Sequence, residues 1–161
     1  MIKSFRIFES NKGLESFTVY HGSNEEHDFS ETGKHYQLGG TFFSEDKNEA
    51  KSHGKFLYEI QLKPTIDLFS TINLSDCEKL IKHCEILYDD YFDEDVDPDN
   101  YFIKTPEQLS NHTDNWNAIE KTPGVLDWLH HYDGAIITEG GCLNILIFDP
   151  VMEKIQSYKL L

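Results

Sequence analysis

The sequence predicts an α+β fold, on three observations. Phe56, Tyr58, Ile60 and Leu62 alternate with Leu57, Glu59, Gln61 and Lys63, which is the period-2 signature of a half-buried strand. Cys77, Leu80, Ile81, Cys84, Leu87, Tyr88 and Tyr91 then recur at helical spacing. The C-terminal part returns to strand patterns at Ala135–Thr138, Leu143–Phe148 and Glu153–Leu160. Strand segments on either side of a helical stretch describe an α+β architecture.

Taken in order, residues 1–10 mix basic and aromatic groups and read as a first strand or a tethered arm. Residues 17–21 form a strand, and the polar stretch 24–38 forms a loop that ends at Gly39-Gly40. Ser44 or Asp46 caps a short helix through Glu49, Ala50 and Ser52, with Gly54 expected in the left-handed conformation beyond its end. The strand 56–63 stops at Pro64. Ser75-Asp-Cys-Glu78 has the form of a capping box and opens the longest expected helix, which runs through Tyr91 into the acidic stretch 89–100. Repulsion among those carboxylates, together with Pro98, predicts an exposed loop. Short helices follow at 106–112 and 114–121, and Thr122-Pro123 opens another that carries Val125, Leu126 and Leu129 on one face. Gly140-Gly141, after Glu139, allows a tight hairpin between the first two C-terminal strands.

Size and charge narrow the function. A chain of 161 residues with 39% hydrophobic content suits one domain, 1–161, with its own core. No apolar run approaches the roughly 18 residues of a spanning helix. Residues 1–10 also lack the apolar core and cleavage site of a signal peptide. A cytoplasmic location is therefore expected, the host cell cytoplasm if the protein is viral, with no membrane partner. Cys77, Cys84 and Cys142 show neither CxxC nor Cys/His ligand spacing, which argues against disulfides or zinc and suits a reducing compartment. Asp93, Asp95 and Asp97 are spaced as in a calcium loop, but Pro98 stands where glycine is required and Lys104 where glutamate is. His112, His130 and His131 lack a second ligand at metal spacing, so no metal is expected. The formal charge of −15 repels phosphate over any extended surface, so no direct nucleic-acid binding is expected. The same charge suits a basic partner, or simply solubility.

The stretch that invites a site is Thr18-Val-Tyr-His-Gly-Ser23, an apolar strand ending on an imidazole, a glycine and a hydroxyl. Glycine lets backbone approach a ligand, and histidine offers two ring nitrogens for hydrogen bonding. Gly39-Gly-Thr-Phe-Phe-Ser-Glu45 and the segment from Tyr132 to Asp149 look like the other walls.

His-Gly-Ser, then Gly-Thr-Phe-Phe-Ser-Glu and a short helix, then an alternating strand, then Tyr-Asp-Gly and a closing Asn-Ile-Leu-Ile-Phe-Asp strand together resemble the ADP-ribosyltransferase superfamily. The likeness is greatest to the branch that includes diphtheria-type toxins, poly(ADP-ribose) polymerases and small phage-encoded mono-ADP-ribosyltransferases, anti-CRISPR-type ones among them. It covers about residues 17–63 and 131–160. It implies split antiparallel sheets with flanking helices, and leaves about 70–130 as a helical insertion suited to target recognition.

The resemblance also implies roles. His21 would contact a hydroxyl of the adenosine ribose of NAD, and Gly22 would grip the nicotinamide carboxamide through its N–H and C=O, with Ser23 nearby. Phe42, beside Thr41, would stack on the nicotinamide where the family has tyrosine. Asn144 stands where the family has its catalytic glutamate, and can bond the nicotinamide-ribose 2′-hydroxyl without supplying charge. Glu139 is then the candidate carboxylate for the oxocarbenium-like transition state. NAD would serve as substrate, and the acceptor would be a host protein or protein–nucleic-acid complex, in keeping with a phage or mobile-element anti-defence or host-takeover role. The acceptor group, whether arginine, asparagine, another side chain or a base, stays open. The alternative is a catalytically inactive protein of the same fold that inhibits a basic or nucleic-acid-binding partner by direct binding, a reading that Asn144 favours and the retained His21-Gly22 pair opposes.

Overall fold

A computed structural model of the chain describes residues 17–30, 39–87 and 102–161. The expected N-terminal strand or arm, residues 31–38 of the 24–38 loop and the acidic stretch 89–100 lie outside those residues. The architecture is mixed α+β, as expected, and falls into two compact units: one from the chain up to Asp67 together with Ile147–Leu161, the other Leu68–Leu146.

In the first unit, β1 (Phe17–Ser23), β3 (Phe56–Leu62) and β9 (Ile155–Leu160) form an antiparallel sheet in the order β1-β3-β9. Alternation decides which face is buried. Val19 lies opposite Ile60 in register, both without exposed surface, and Leu62 is equally buried. Each contributes on the order of 2 kcal/mol by leaving water. On the other face, Glu59 receives Lys159 at 2.8 Å. Phe29, Phe43 and Tyr58 complete this core with edge-to-face and offset ring contacts.

Strand β2 (Gly40–Phe43) leads into α1 (Lys47–Ser52). Asp46 caps α1, its carboxylate accepting the Asn48 N–H at 2.7 Å and the Glu49 N–H at 3.2 Å. Ser44 is instead engaged with Glu49, donating to its carboxylate at 2.7 Å. The left-handed Gly54 expected from the sequence is not found, since its φ is not positive. Glycine is required there for contact: an added Cβ would lie 2.2 Å from the Ser23 carbonyl oxygen. The last expected strand also begins later, because Val151–Lys154 is a turn of 3-10 helix that precedes β9.

In the second unit, β4 (Leu68–Ser70) runs parallel to β7 (Gly134–Glu139), with Phe69 opposite Ala135. The sequence analysis missed β4, three apolar-polar residues too short to show a period. Strand β8 (Cys142–Phe148) follows β7 through Gly140 and Gly141, at φ 55° and 81°, the paired positive angles that a two-residue hairpin requires. β8 passes into the first unit at Ile147. The crossover between the parallel strands carries α2 (Leu74–His83), α3 (Pro106–Asn111), α4 (Asn115–Lys121), α5 (Val125–Leu129) and a short antiparallel pair, β5 (Ile86–Leu87) with β6 (Phe102–Ile103). Residues 70–130 therefore contribute strands as well as the expected helices.

Two expectations about α2 fail for local reasons. Its cap is Asn73, whose side chain accepts the Ser75 and Asp76 N–H groups, so Ser75 lies inside the helix and forms no capping box. The helix ends at His83 because Cys84 turns extended and Ile86–Leu87 pairs with β6. α3 carries the capping box, with Thr105 and Gln108 reciprocally bonded. α5 starts after Gly124, at φ 82°, rather than at Thr122-Pro123. Thr122 instead closes α4, donating to the Ala118 carbonyl at 2.7 Å and accepting the Leu87 N–H. Trp116 is core, whereas Trp128 is half-buried against Phe69 and Tyr132. Among the described residues no helix is long and apolar enough to cross a membrane.

Candidate functional site

Strand β1 has β3 along one edge, and the chain after β2 touches its other edge at one place. Tyr20 and Ser44 exchange backbone hydrogen bonds of 2.7 and 2.9 Å in an isolated antiparallel bridge. Continuing that pairing would set Gly22 against Phe42. It does not continue, because the Phe42 carbonyl is taken at 2.8 Å by Nδ1 of the His21 side chain.

The direction of the Gly22 backbone follows from ladder parity. Residues two apart in an antiparallel strand send their N–H and C=O groups to the same edge. Tyr20 bonds Ser44, so Gly22 also directs both groups away from β3. An independent check agrees: the Leu57 carbonyl, opposite Gly22, accepts the Leu161 N–H at 2.8 Å on the far side of β3. Gly22 and Leu57 are thus a non-hydrogen-bonded pair. Among the described residues no hydrogen bond takes up the Gly22 N–H or C=O. One donor and one acceptor therefore stand side by side on an unpaired stretch of edge, next to the His21 imidazole.

From the sequence, Gly22 lacks a side chain so that a ligand can approach. The structure gives a reason inside the fold. A Cβ on Gly22 would sit 1.7 Å from the Ala50 carbonyl oxygen, so α1 packs directly on the strand backbone. The absent side chain serves the helix, and the outward main-chain groups are what a ligand would meet.

His21 is half-buried among rings. His27 lies 4.5 Å away centroid to centroid, Phe29 5.6 Å, Phe43 5.7 Å and Tyr58 6.4 Å. Burial pushes its pKa from 6.5 down to about 4, against the opposing hydrogen bond to Phe42, with His27 and His53 adding to the decrease. A carbonyl oxygen only accepts, so Nδ1 carries the proton and Nε2 is an acceptor.

The other expected residues of this unit divide. Phe42 is part-buried, while Phe43 is core at 2% exposure, stacked 5.9 Å from Phe29. Thr41 is buried at 6% exposure and offers little hydroxyl surface. Ser23 accepts the Glu25 N–H at 3.3 Å in a local turn, so its first role is to shape the chain after β1.

Glu139 and Asn144 belong to the second unit. They lie on one face of the β7–β8 hairpin, and the Asn144 Nδ2 approaches the Glu139 carboxylate to 3.4 Å. The hairpin is held to the helical segment by the Thr138 N–H on the Asn115 side chain at 2.7 Å and the Gly141 N–H on the Thr113 carbonyl at 2.7 Å. Glu120 on α4 shares this neighbourhood: burial raises its pKa, and the Glu139 charge raises it further. Glu139 is exposed and positioned by Asn144, which is an orienting role for the asparagine.

Sequence reasoning missed His27, Phe29 and Tyr58. Tyr58 lies opposite His21 in the β1–β3 register and is 3% exposed, and its hydroxyl accepts the His27 N–H at 2.9 Å. The signal was available, because a tyrosine on the buried face of an alternating strand must find a polar partner for its hydroxyl.

No known protein family and no curated protein matches the chain. One solved structure is similar, a crystal structure of an anti-CRISPR protein, at 20% identity over 92% of this chain and 98% of that one, with a TM-score of 0.46.

Proposed function

We propose that the chain is an NAD-dependent mono-ADP-ribosyltransferase, which releases nicotinamide from NAD and joins ADP-ribose to a macromolecular acceptor. The observation that carries this reading is the open edge at Gly22. A primary carboxamide needs one acceptor for its N–H and one donor for its C=O, and the Gly22 main chain offers both beside the His21 ring. In this reading the Phe42 ring, part-buried beside the site, would pack against the pyridine, and the Nε2 acceptor of His21 suits a ribose hydroxyl.

The chemistry asks little of such a site. The bond between ribose C1′ and the pyridinium nitrogen breaks, and its electron pair returns to the ring, so nicotinamide departs neutral and needs no general acid. The acceptor's nucleophile bonds to C1′ and gives its proton to water or a carboxylate. The protein's tasks are to hold NAD bent and to stabilise the cation developing on the sugar. The sequence resemblance assigns the negative charge to Glu139, whose carboxylate Asn144 orients. The split-sheet arrangement of this enzyme class belongs to the same proposal, as does a phage or mobile-element anti-defence setting, with a host protein or protein–nucleic-acid complex as acceptor. Both rest on the sequence resemblance.

The test is incubation of the full chain with adenylate-labelled NAD, alone and with host lysate, following nicotinamide release and label transfer. Turnover that disappears in His21→Ala and Glu139→Gln supports the enzyme. Absence of release from the unaltered chain contradicts it. Tight binding of a basic partner, indifferent to His21→Ala, would then favour the inhibitory reading that Asn144 in place of glutamate suggests.

A further inference from the structure

We propose that Tyr58 is a positioning residue for the nucleotide site: its hydroxyl anchors the 24–30 segment through the His27 N–H, and this segment's rings fix the His21 imidazole with Nδ1 on Phe42 and Nε2 left as an acceptor. The inference rests on the NAD-site reading for its purpose, while its geometry stands apart from it.

The chain of contacts is short and continuous. Tyr58 lies on β3 directly opposite His21, its ring 6.4 Å from the imidazole and 5.4 Å from Phe29. Its hydroxyl does not touch His21; it accepts the His27 N–H at 2.9 Å. That bond holds the chain after β1, where residues 24–30 form no helix or strand. His27 and Phe29 lie on this segment, with rings 4.5 Å apart, and each packs against His21. Phe43 closes another side of the imidazole. The anchor ties the segment to β3, and the ring contacts then set it against His21.

The consequence is electrostatic as well as steric. The groups facing His21 are His27 from the segment, Tyr58 from β3, Phe29 and Phe43 as apolar walls, and the charge of His53 after α1. Among the described residues the histidines oppose His21 protonation and no carboxylate favours it. A ring held in this cage keeps an Nε2 lone pair for a ligand hydroxyl over the whole neutral range. A cage that opens lets water reach the imidazole, which then protonates at higher pH and loses its acceptor.

The experiment follows the His21 ring by imidazole nitrogen NMR in the full chain without ligand, for the unaltered protein, Tyr58→Phe and His27→Ala. NAD affinity is measured on the same samples. Tyr58→Phe keeps the ring and removes only the anchor. The expected result is a His21 midpoint raised by about one pH unit in Tyr58→Phe and at least as much in His27→Ala. NAD binding, nearly flat with pH in the unaltered chain, should then fall roughly twofold or more between about pH 8 and about pH 5 in Tyr58→Phe. A folded Tyr58→Phe with the His21 midpoint and tautomer unchanged overturns the proposal. If Tyr58→Phe does not fold, an unchanged His21 in His27→Ala does so. If NAD fails to bind the unaltered chain while the midpoints shift as expected, the nucleotide reading fails and the anchoring of His21 by Tyr58 stands.

Discussion

Replacing Gly22 by alanine tests the claim that the glycine is there for α1 while its main chain faces outward. The new Cβ would meet the Ala50 carbonyl oxygen at 1.7 Å and the carbonyl carbon at 2.8 Å. Contacts between real atoms seldom fall below about 3 Å, so backbone must move by more than about 1 Å, and no flexible side chain can absorb it. The Ala50 carbonyl also accepts the His53 N–H that closes α1 at 3.1 Å, and Ala50 itself is 2% exposed. Overpacking of this kind costs about 2 kcal/mol, and loss of the closing hydrogen bond about 1 kcal/mol more. A total near 3 kcal/mol lowers the melting temperature by roughly 6–12 °C for a chain of this size. Thermal unfolding followed by circular dichroism reads it. A Gly22→Ala variant that melts within about 2 °C of the unaltered chain would refute the packing argument, because the backbones would then not be in contact.

Three further outcomes are expected. Asn73→Ala should cost about 1 kcal/mol by removing the α2 cap, whereas Ser75→Ala, at an exposed position inside the helix, should change stability by less than about 0.5 kcal/mol. The two urea midpoints compare them. Burial holds the His21 pKa at about 4 against 6.5 when unfolded, so the unfolded chain binds more protons between those values. About 3 kcal/mol of stability, present in full above the unfolded pKa, should be lost as pH falls to about 4, and the difference between the unaltered chain and His21→Gln in urea isolates it. Glu139→Gln keeps an acceptor for Asn144 but removes the charge; on the proposed transferase reading, NAD affinity should change by less than about twofold while turnover falls about 100-fold or more.

What the sequence made legible depends on how local the signal was. β3 and the β7–β8 hairpin were readable because alternation and Gly140-Gly141 act over a few residues. The boundaries of α2 were not. Cys84 and Leu87 continue a helical period in the sequence, yet the partner that draws Ile86–Leu87 into a strand is Phe102–Ile103, outside any local window. The cap was misread because serine and asparagine two residues apart are both good caps, and only the backbone decides between them. Gly54 was assigned to a left-handed turn because contact with the Ser23 backbone cannot be seen along the chain.

The candidate site shows the same division. His21, Gly22 and Phe42 were found because their types suggest chemistry. Their meaning changed in three dimensions: Gly22 is open at its main chain through strand parity, and His21 occupies the carbonyl that would have continued the bridge. Tyr58 and His27 stayed hidden because their role lies in a bond between a side chain and a backbone 31 residues away.

The account turns on whether the Gly22 edge receives a carboxamide. The most direct measurement is the backbone amide resonance of Gly22 in a nitrogen-labelled sample titrated with NAD and, separately, with nicotinamide. The account predicts a saturable downfield shift of the Gly22 proton with both ligands, as its N–H begins to donate to the amide oxygen, alongside a shift in the His21 ring with NAD. A Gly22 resonance that stays in place at millimolar NAD, while the chain remains folded, would contradict it.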